Sequence, residues 1–500
     1  MAGLLENYNK KAGALLHISS LPSRYGIGSL GKSAYSFVDF LNKSGLSLWQ
    51  VLPLTPLSFG NSPYQAPSSS AFNYFLIDLD LLSEQGLLTK KELIGQKSRQ
   101  RNRVDYELLY ASRLDVLKIA FERYQGKGEY QAFLSQKTYF DYALFMALKE
   151  KNGGAPWYLW EEKYRFADNL ALTDFASRNS REIEFWQWLQ FIFLRQWSAL
   201  KSYANDKGVL IIGDMPIYAA RDSVEVWKNP QMFLLDEDKT PLSVAGVPPD
   251  YFSKKGQLWG NPLYNWRYMQ KDDYAFWKKR IKEALDVYNF VRIDHFRAFS
   301  AYYSIPFGSE NATRGEWKEG FGKDLFKDLK EENILAEDLG VYDGALKELM
   351  DFTGFPSMRV LQFAFDGLKE NTHNMENVGR NCVIYSGTHD NDTLMGFLKT
   401  LKADKKRVYA SEVEKRRENC GIRHFLTDRG LAGAVIELAF ASDAAFAIIP
   451  MQDFLLRGKK YRMNTPGTLN ENNWRYKECQ RSFFKALAVK IKNLCRKYGR

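Results

Sequence analysis

Eight short apolar runs recur along this chain, and each of them ends in polar residues. They lie at positions 13–18, 46–54, 208–214, 287–294, 333–340, 357–365, 381–390 and 446–453. Apolar runs bounded by Gly, Pro or polar residues are typical of strands that are buried on both faces. Helical spacing of apolar residues lies between several of them, at 35–43, 182–203, 275–285 and 345–352. Eight strands alternating with helices predict the α/β class and a single (β/α)8 TIM barrel over residues 1–500.

Two intervals between the predicted strands are longer than one connecting helix needs. The first, about residues 55–207, predicts an inserted, mostly helical subdomain after the second strand. The second contains a segment rich in Gly, Pro and aromatic residues, about 244–266, which we interpret as an active-site loop. Insertions after barrel strands usually form the rim of the catalytic cleft. Few residues follow the eighth run, so we expect no separate β-rich C-terminal domain.

The formal net charge of +11 raises the question of a nucleic-acid partner. The basic residues are spread thinly, so solvated helix faces are the better interpretation. The first 11 residues contain neither an apolar signal core nor an Arg-rich presequence. No run approaches the roughly 20 apolar residues of a membrane span. Four cysteines without a CxxC pair favour reduced thiols. We expect a cytoplasmic protein with no nucleic-acid or membrane partner, and the sequence leaves the oligomeric state open.

Charged residues directly follow four of the predicted strands. They are Asp214 after the third strand, Arg292, Asp294 and His295 after the fourth, Glu337 and Asp338 after the fifth, and His389 and Asp390 after the seventh. In a barrel, the carboxyl ends of all strands converge on one face. An unpaired buried charge is costly, so residues in these positions need a partner or a function. The pattern predicts an active site on this face, with a structural ion-pair network as the alternative.

Two reaction classes use residues of this kind. Retaining glycosidases need a carboxylate nucleophile and a carboxylic proton donor about 5 Å apart. Metal-dependent barrel hydrolases need His and Asp ligands, and commonly begin with a His-x-His pair where this chain has His17-Ile18-Ser19. The aromatic segment 244–266 also favours a sugar substrate. We therefore expect glycosidic chemistry without a metal or cofactor. A glucan-binding protein without catalysis is a third interpretation, which the carboxylate set disfavours.

Nine sequence blocks, in order, resemble those of the amylomaltases, the 4-α-glucanotransferases or disproportionating enzymes related to the α-amylases. The most specific are RIDHFRAF at 292–299, AEDLG at 336–340 and SGTHDNDT at 386–393. The other six are LHISSLPSRYGIGSLG, SPYQAPSS, GDMPIYAARDSVEVW, AGVPPDYFSKKGQLWGNPLYNW, LQFAF and RMNTPGT. The resemblance covers almost the whole chain. It implies transfer of α-1,4-glucan segments between maltooligosaccharides, starch or glycogen chains, with an α-glucan hydrolase on the same fold as the alternative.

The resemblance also implies catalytic roles for three carboxylates and a retaining mechanism. Asp294 corresponds to the nucleophile, and Glu337 to the acid/base residue that protonates the leaving oxygen and then deprotonates the acceptor. Asp390 corresponds to the residue that binds hydroxyls of the transferred glucose and favours its distorted ring. Arg292 lies two residues before Asp294 on the same strand and therefore faces the same side, where its charge favours the ionised carboxylate. Asp338 should point to the other side of its strand.

The remaining expected contacts are with the substrate. His295 and His389 resemble further hydrogen-bond donors to the transferred glucose, and Asp214 matches an aspartate of the α-amylase relatives. The acceptor side is expected to be covered by Tyr251, Gln257 and Trp259. Tyr64 is expected to stack on a glucose ring, and Phe363 and Asn464 match further cleft positions. One departure lies after the SPYQ block, where Phe72 and Tyr74 replace a glycine and a proline of the family and could reshape the donor cleft.

Overall fold

The computed structural model describes residues 3–126, 128–249, 253–330, 332–422, 427–479, 483 and 485–500. Eight strands form its main sheet: β1 (Lys11–Leu15), β2 (Leu48–Gln50), β3 (Leu210–Met215), β4 (Phe290–Ile293), β5 (Ile334–Ala336), β6 (Ser357–Val360), β7 (Cys382–Tyr385) and β8 (Phe446–Pro450). Their order is β6-β7-β8-β1-β2-β3-β4-β5, and all hydrogen-bonded neighbours are parallel. β5 and β6 meet at the seam, where the Ala336 N–H donates to the Pro356 carbonyl at 3.1 Å. The sheet is nearly closed, which confirms the predicted (β/α)8 barrel.

Side chains from the strands fill the barrel interior. One buried cluster consists of Leu5, Leu15, Leu48, Ile212, Phe290, Leu335, Met358, Val360, Val383, Tyr385, Ala445, Phe446 and Ile448. Next to it, Tyr8 packs edge-on against Phe290 and Phe446, with ring centroids 5.6 and 6.0 Å apart. Burying a side chain of this size stabilises a fold by about 1.5–3 kcal/mol. The interior is therefore a packed core that holds the strand ends in fixed positions.

Helices surround the barrel and fill the insertions. Their bounds are Lys32–Lys43, Leu79–Glu84, Tyr106–Arg123, Glu129–Ser135, Phe140–Lys151, Glu162–Arg165, Asn169–Arg178, Ser180–Asp206, Val224–Lys228, Trp266–Gln270, Ala275–Val287, Gly322–Phe326, Gly344–Thr353, Leu394–Thr400, Ala403–Asn419, Asp428–Ala441, Met451–Phe454 and Lys485–Tyr498. Seven of these lie in the 55–207 interval that the sequence predicts to be an inserted helical subdomain. Within the described ranges, no helix is both long and apolar enough to cross a membrane.

The two residues that depart from the family pattern pack into the inserted helices. The Phe72 ring stacks on Phe193 of the Ser180–Asp206 helix, with centroids 4.7 Å apart and planes 6° apart. The backbone of Phe72 also exchanges two hydrogen bonds with the Gln190 side chain of that helix, at 2.7 and 3.1 Å. Tyr74 meets Trp186 edge-on at 5.6 Å. Phe72 is buried and Tyr74 is partly buried, so both side chains pack this loop against the helix.

A second, four-stranded antiparallel sheet lies in the segments after β3 and β4. It consists of Gln257–Pro262, Ser243–Val247, Ala301–Pro306 and Glu316–Glu319, in that order. Two of these strands lie in the 244–266 segment that the sequence predicts to be a loop. Glycine and proline are rare in strands, so their presence in this segment obscures the alternating apolar pattern that would predict strands. Glycine is needed at position 246 because the two strand backbones lie close together. A Cβ atom there would lie 2.2 Å from the Gln257 carbonyl oxygen.

Candidate active site

Arg292 lies at the centre of the site and is the penultimate residue of β4. Its Nη1 donates to both carboxylate oxygens of Asp214, at 2.6 and 2.7 Å. Its Nη2 lies 3.0 Å from Oδ1 of Asp294 and 3.3 Å from Oε2 of Glu337. Burial would lower the pKa of Arg292, but the three carboxylates outweigh it and raise this pKa well above its ordinary value. The ends of β3, β4 and β5 thus bring three carboxylates onto one permanent cation.

Glu337 is held by the backbone of the neighbouring strand end. Its Oε2 accepts a hydrogen bond from the His295 N–H at 2.5 Å. The backbone of His295 is left-handed, with φ 47° and ψ 48°, and this turn after β4 directs the N–H at the carboxyl group. Burial raises the pKa of Glu337 well above its usual range; Arg292 opposes this rise, and the charge of Asp294 adds to it. The carboxyl group therefore favours its protonated form, which an acid catalyst needs.

Asp294 is the more open member of the catalytic pair, since 26% of its side chain is exposed, against 15% for Glu337. Asp294 and Glu337 contact the same nitrogen of Arg292, so their carboxyl groups lie close together. Retaining glycosidases separate these groups by about 5–5.5 Å, whereas inverting enzymes leave roughly 6.5–9.5 Å for a water molecule. The shared nitrogen favours the retaining arrangement.

A second cluster of polar side chains is centred on the loop after β7. Oδ1 of Asp390 accepts a hydrogen bond from Nδ2 of Asn464 at 2.6 Å and lies 3.3 Å from Nε2 of His389. The His389 ring stacks on Tyr64, with centroids 5.2 Å apart and planes 9° apart. The Tyr64 hydroxyl in turn donates to Asp214 at 2.8 Å. Tyr64 therefore connects this group with the carboxylates of the other strands, and the half-exposed Asp390 remains open to a ligand.

Trp259 and Gln257 lie on an edge strand of the small sheet, next to His295. The Trp259 ring meets the His295 imidazole edge-on, with centroids 4.9 Å apart, and its Nε1 donates to Gln257 Oε1 at 3.2 Å. Burial lowers the pKa of His295 to about 4, so its imidazole is neutral near pH 7. Tyr251, which the sequence places beside these residues, lies outside the described part of the chain. The edge strand Gln257–Pro262 therefore brings an aromatic ring and an amide to one side of the carboxylate pair.

Two other residues at strand ends have different surroundings. Phe363 is the last residue of the short 3-10 helix that follows β6, and it is half-buried, with its ring centroid 5.5 Å from that of His373. Asp338 is buried and turns toward β6, where it accepts the Met358 N–H at 2.7 Å and pairs with Arg359 at 3.1 Å. It therefore lies on the opposite side of its strand from Glu337, as strand alternation predicts.

Sequence reasoning missed three residues of this region. Trp474 lies against the stacked pair of Tyr64 and His389, with centroids 5.7 and 5.9 Å away. Arg462 donates to the Asp390 carbonyl at 2.6 Å. Asp453 lies just beyond β8, so it follows a strand in the same way as the predicted carboxylates. That position was the available signal for Asp453, and the RMNTPGT block was the signal for Arg462.

Asp453 fastens both ends of the loop that carries His389 and Asp390. Its Oδ2 accepts the Ser386 hydroxyl at 2.6 Å, directly after β7, and its Oδ1 accepts the Leu394 N–H at 2.7 Å, where the next helix begins. Asp453 is buried, and burial raises its pKa to about 6 although both hydrogen bonds oppose the rise. The Asp453 carboxylate thus holds Ser386 and Leu394, the two ends of this loop, close to each other.

We expect Asp453→Ala to lower activity without removing any group that faces the cleft. The substitution leaves two donors unpaired in the core, at about 1–3 kcal/mol each, and lets the loop and Asp390 shift. A misplacement of about 1 Å can cost on the order of 100-fold in rate. Asp453→Asn keeps an acceptor for Leu394 and should retain most of the activity. Thermal unfolding and initial transfer rates measure the two effects; an unchanged rate in Asp453→Ala would show that the loop holds its position without this residue.

Across the described ranges, no group of three or more His, Cys, Asp or Glu side chains is arranged to hold a metal ion. The three carboxylates at the ends of β3, β4 and β5 instead share the guanidinium of Arg292.

Comparison with known proteins agrees with this geometry. The family profile described as 4-alpha-glucanotransferase, glycoside hydrolase 77, matches residues 16–480. A 4-alpha-glucanotransferase of Clostridium butyricum is 41% identical over 97% of this chain and 100% of its own length. One of Thermus thermophilus is 42% identical over 93% of this chain and 94% of its own. A solved amylomaltase of Streptococcus agalactiae in complex with acarbose is 36% identical, with a TM-score of 0.93 over 98% of this chain and 99% of that one. The chain therefore belongs to the 4-alpha-glucanotransferase family.

Proposed function

We propose that this chain transfers a segment of an α-1,4-glucan to the 4-hydroxyl of glucose or of another glucan by a retaining double displacement. Maltooligosaccharides and the outer chains of starch or glycogen are the expected substrates. The observation that carries the proposal is the pair of Asp294 and Glu337 on one guanidinium nitrogen, in a chain that belongs to this family. Because both carboxyl groups contact one nitrogen, they lie close together, which supports a retaining mechanism, and they differ in exposure.

In the first half of the reaction, Asp294 attacks the anomeric carbon of the donor and forms a β-linked glycosyl ester. Glu337 gives its proton to the departing glycosidic oxygen, which leaves as the 4-hydroxyl of the released sugar. Arg292 stabilises the ionised nucleophile before attack. Burial keeps the Glu337 proton in place until the bond breaks, since the pKa of this group is raised.

In the second half, the 4-hydroxyl of an acceptor replaces the released sugar. Glu337, now ionised, takes the hydroxyl proton while the acceptor oxygen attacks the anomeric carbon and displaces Asp294. Two inversions restore the α configuration. Asp390, with His389 and Asn464 beside it, is placed to bind hydroxyls of the transferred glucose, and its half-exposed carboxylate supports this role.

We propose that Gln257 and Trp259, together with Tyr251, favour a sugar acceptor over water. Trp259 lies next to His295, whose N–H holds the acid/base residue. A pyranose ring gains contact with the aromatic ring, which a water molecule cannot use in the same way. Transfer should therefore exceed hydrolysis.

Incubation with maltotriose tests the proposed function. A transferase converts this single substrate into glucose and a ladder of longer maltooligosaccharides, with the number of reducing ends unchanged. A hydrolase yields only shorter products and a steady rise in reducing ends. We expect the ladder, resolved by chromatography. Binding of maltotriose without any new product would instead indicate a glucan-binding protein without catalysis.

A cytoplasmic location is proposed for the same chain. Cys382 and Cys495 are buried as thiols, and burial raises the pKa of Cys495 to about 11. Such thiols are typical of proteins in a reducing compartment.

A further inference from the structure

Arg297 is a buried arginine in the turn after β4, three residues beyond Asp294. Only 5% of its side chain is exposed. Removing a guanidinium from water is costly unless hydrogen-bond partners compensate it, so an arginine in this position needs a structural or functional reason. The double displacement itself leaves Arg297 without a role.

The Arg297 side chain holds the far end of the loop that follows β5. Its Nη1 donates to the Val341 carbonyl at 2.7 Å, and its Nη2 donates to Oδ2 of Asp343 at 2.8 Å. Oδ1 of the same carboxylate accepts the Leu346 N–H at 2.9 Å, so Asp343 also caps the helix Gly344–Thr353. Arg297 therefore fixes the loop at the point where this helix begins.

Two backbone groups of the same turn hold the near end of this loop. The Phe296 N–H donates to the Glu337 carbonyl at 3.0 Å, and the His295 N–H donates to the Glu337 carboxyl group at 2.5 Å. Residues 337–343 form neither a helix nor a strand. The turn after β4 thus provides hydrogen bonds to both ends of an irregular loop, and the acid/base carboxyl group belongs to that loop.

An aromatic ring restrains the guanidinium of Arg297. The ring centroid of Trp317, on the strand Glu316–Glu319, lies 4.3 Å from the guanidinium carbon. Tyr303 meets the indole edge-on, with centroids 5.2 Å apart. Trp317 is 40% exposed and Arg297 is buried, so the indole shields the cation from solvent. A cation is attracted to the face of an aromatic ring, so this contact holds the guanidinium where its two hydrogen bonds form.

We propose that Arg297 is a positioning residue for the acid/base group, because it holds the loop after β5 so that the Glu337 carboxyl group stays at the His295 N–H and can reach the glycosidic oxygen. The proposal rests on the function proposed above. Without Arg297, the loop keeps only its near end, and the carboxyl group can turn away from the bond. Asp294 keeps its own contacts, with the Met215 carbonyl and with Arg292. Loss of Arg297 should therefore impair proton transfer and spare nucleophilic attack.

The test compares a substrate whose leaving group needs a proton with one whose leaving group does not. Arg297→Met keeps an apolar side chain beneath Trp317 and removes the hydrogen bonds to the loop. We expect it to lower kcat for disproportionation of maltotriose about 10-fold to 100-fold. Fluoride release from α-maltosyl fluoride, measured in single turnovers with enzyme in excess, should stay within about twofold of the wild type. Arg297→Lys keeps the charge and can reach one of the two partners, so it should recover part of the loss.

Asp343→Asn provides the same comparison with a smaller change in the core. The amide oxygen can still accept the Leu346 N–H and cap the helix. The amide nitrogen is a donor, however, and cannot accept the hydrogen bond from Arg297. We expect the same selective loss on maltotriose, smaller than in Arg297→Met, and this variant decides the question if Arg297→Met does not fold.

Arg113→Met is a matched control for the loss of a buried arginine. Arg113 is 1% exposed, lies in the inserted helix Tyr106–Arg123, and donates to the Phe75 and Tyr25 carbonyls at 2.8 Å each. Its substitution should lower the melting temperature and leave the ratio of the maltotriose and fluoride rates unchanged.

Two results would overturn the role of Arg297. One is an equal loss on maltotriose and on the fluoride, which would mean that the residue only supports the fold. The other is a wild-type rate on maltotriose in both Arg297→Met and Asp343→Asn. A wild-type protein that forms no longer oligomers from maltotriose would instead refute the proposed function.

Discussion

Asp294→Asn is expected to reduce transfer by several orders of magnitude, the largest loss of any single substitution in this site. The amide is a poor nucleophile, so the glycosyl ester cannot form and both halves of the reaction stop. Asn keeps the size of the side chain and can still lie beside Arg292, so folding should be preserved. The measurement is the initial rate of disproportionation of maltotriose, together with the melting temperature. Retention of more than a few per cent of the wild-type rate would show that another group is the nucleophile.

Asp338→Asn is the internal control for this loss. Asp338 is a buried carboxyl close to the site, but it binds the Met358 N–H and Arg359 on the side of β5 that faces β6. Burial raises its pKa, and Arg359 opposes the rise. The substitution should therefore lower the melting temperature and leave most of the rate. The contrast separates a group that reacts from one that supports the barrel seam.

Glu337→Gln should be nearly inactive on maltotriose but should still react with α-maltosyl fluoride. A sugar leaving group needs a proton, whereas fluoride leaves with little assistance, so the first half-reaction survives the substitution. The second half then stalls because the acceptor hydroxyl has lost its base. A maltosyl group should accumulate on Asp294, and mass spectrometry of peptides should detect it.

Azide supplies the second part of this prediction, because it is a nucleophile that needs no base. Azide should restore turnover of the fluoride by Glu337→Gln and yield an α-linked maltosyl azide. Two outcomes would contradict the assigned roles: a variant that is inactive toward the fluoride and shows no adduct, and a β-linked azide, which would mean a single displacement with inversion.

The pH dependence follows from the same residue. The pKa of Glu337 is raised, so the acid form that bond cleavage requires persists to higher pH than in an ordinary glutamate and is lost as the pH rises through the raised pKa. Turnover of maltotriose by the wild type should therefore fall on the alkaline side. Ester formation from the fluoride should not show this decline, because the leaving group does not need the proton.

The barrel could be predicted because its strands are buried on both faces. Such strands appear in the sequence as continuous apolar runs. The small antiparallel sheet could not be predicted. Gly246 is required because two strand backbones approach closely there, but glycine weakens the sequence signal of a strand. The position of this sheet, which brings Trp259 next to His295, appears only in three dimensions.

The site was predictable to the extent that each carboxylate follows a strand. Contacts that depend on the local backbone conformation could not be predicted from the sequence. The hydrogen bond from His295 to Glu337 needs a left-handed residue after β4, which no pattern in the side chains indicates. The same holds for Asp453, whose two partners lie at opposite ends of a loop on another strand. Sequence spacing places a residue on a strand, but the packing of neighbouring strands determines its partner.

The nitrogen shared by Asp294 and Glu337 makes the charge state of the site change with the reaction. Before attack, the negative charge of Asp294 helps to keep a proton on Glu337. Ester formation neutralises Asp294, so this repulsion disappears while the attraction of Arg292 remains. The affinity of Glu337 for a proton therefore falls once it has delivered its own, and it stays ionised until the acceptor arrives. When the ester is broken, the charge returns to Asp294 and the newly acquired proton is held again. One side chain can thus alternate between acid and base without moving, because the covalent state of its neighbour sets its acidity.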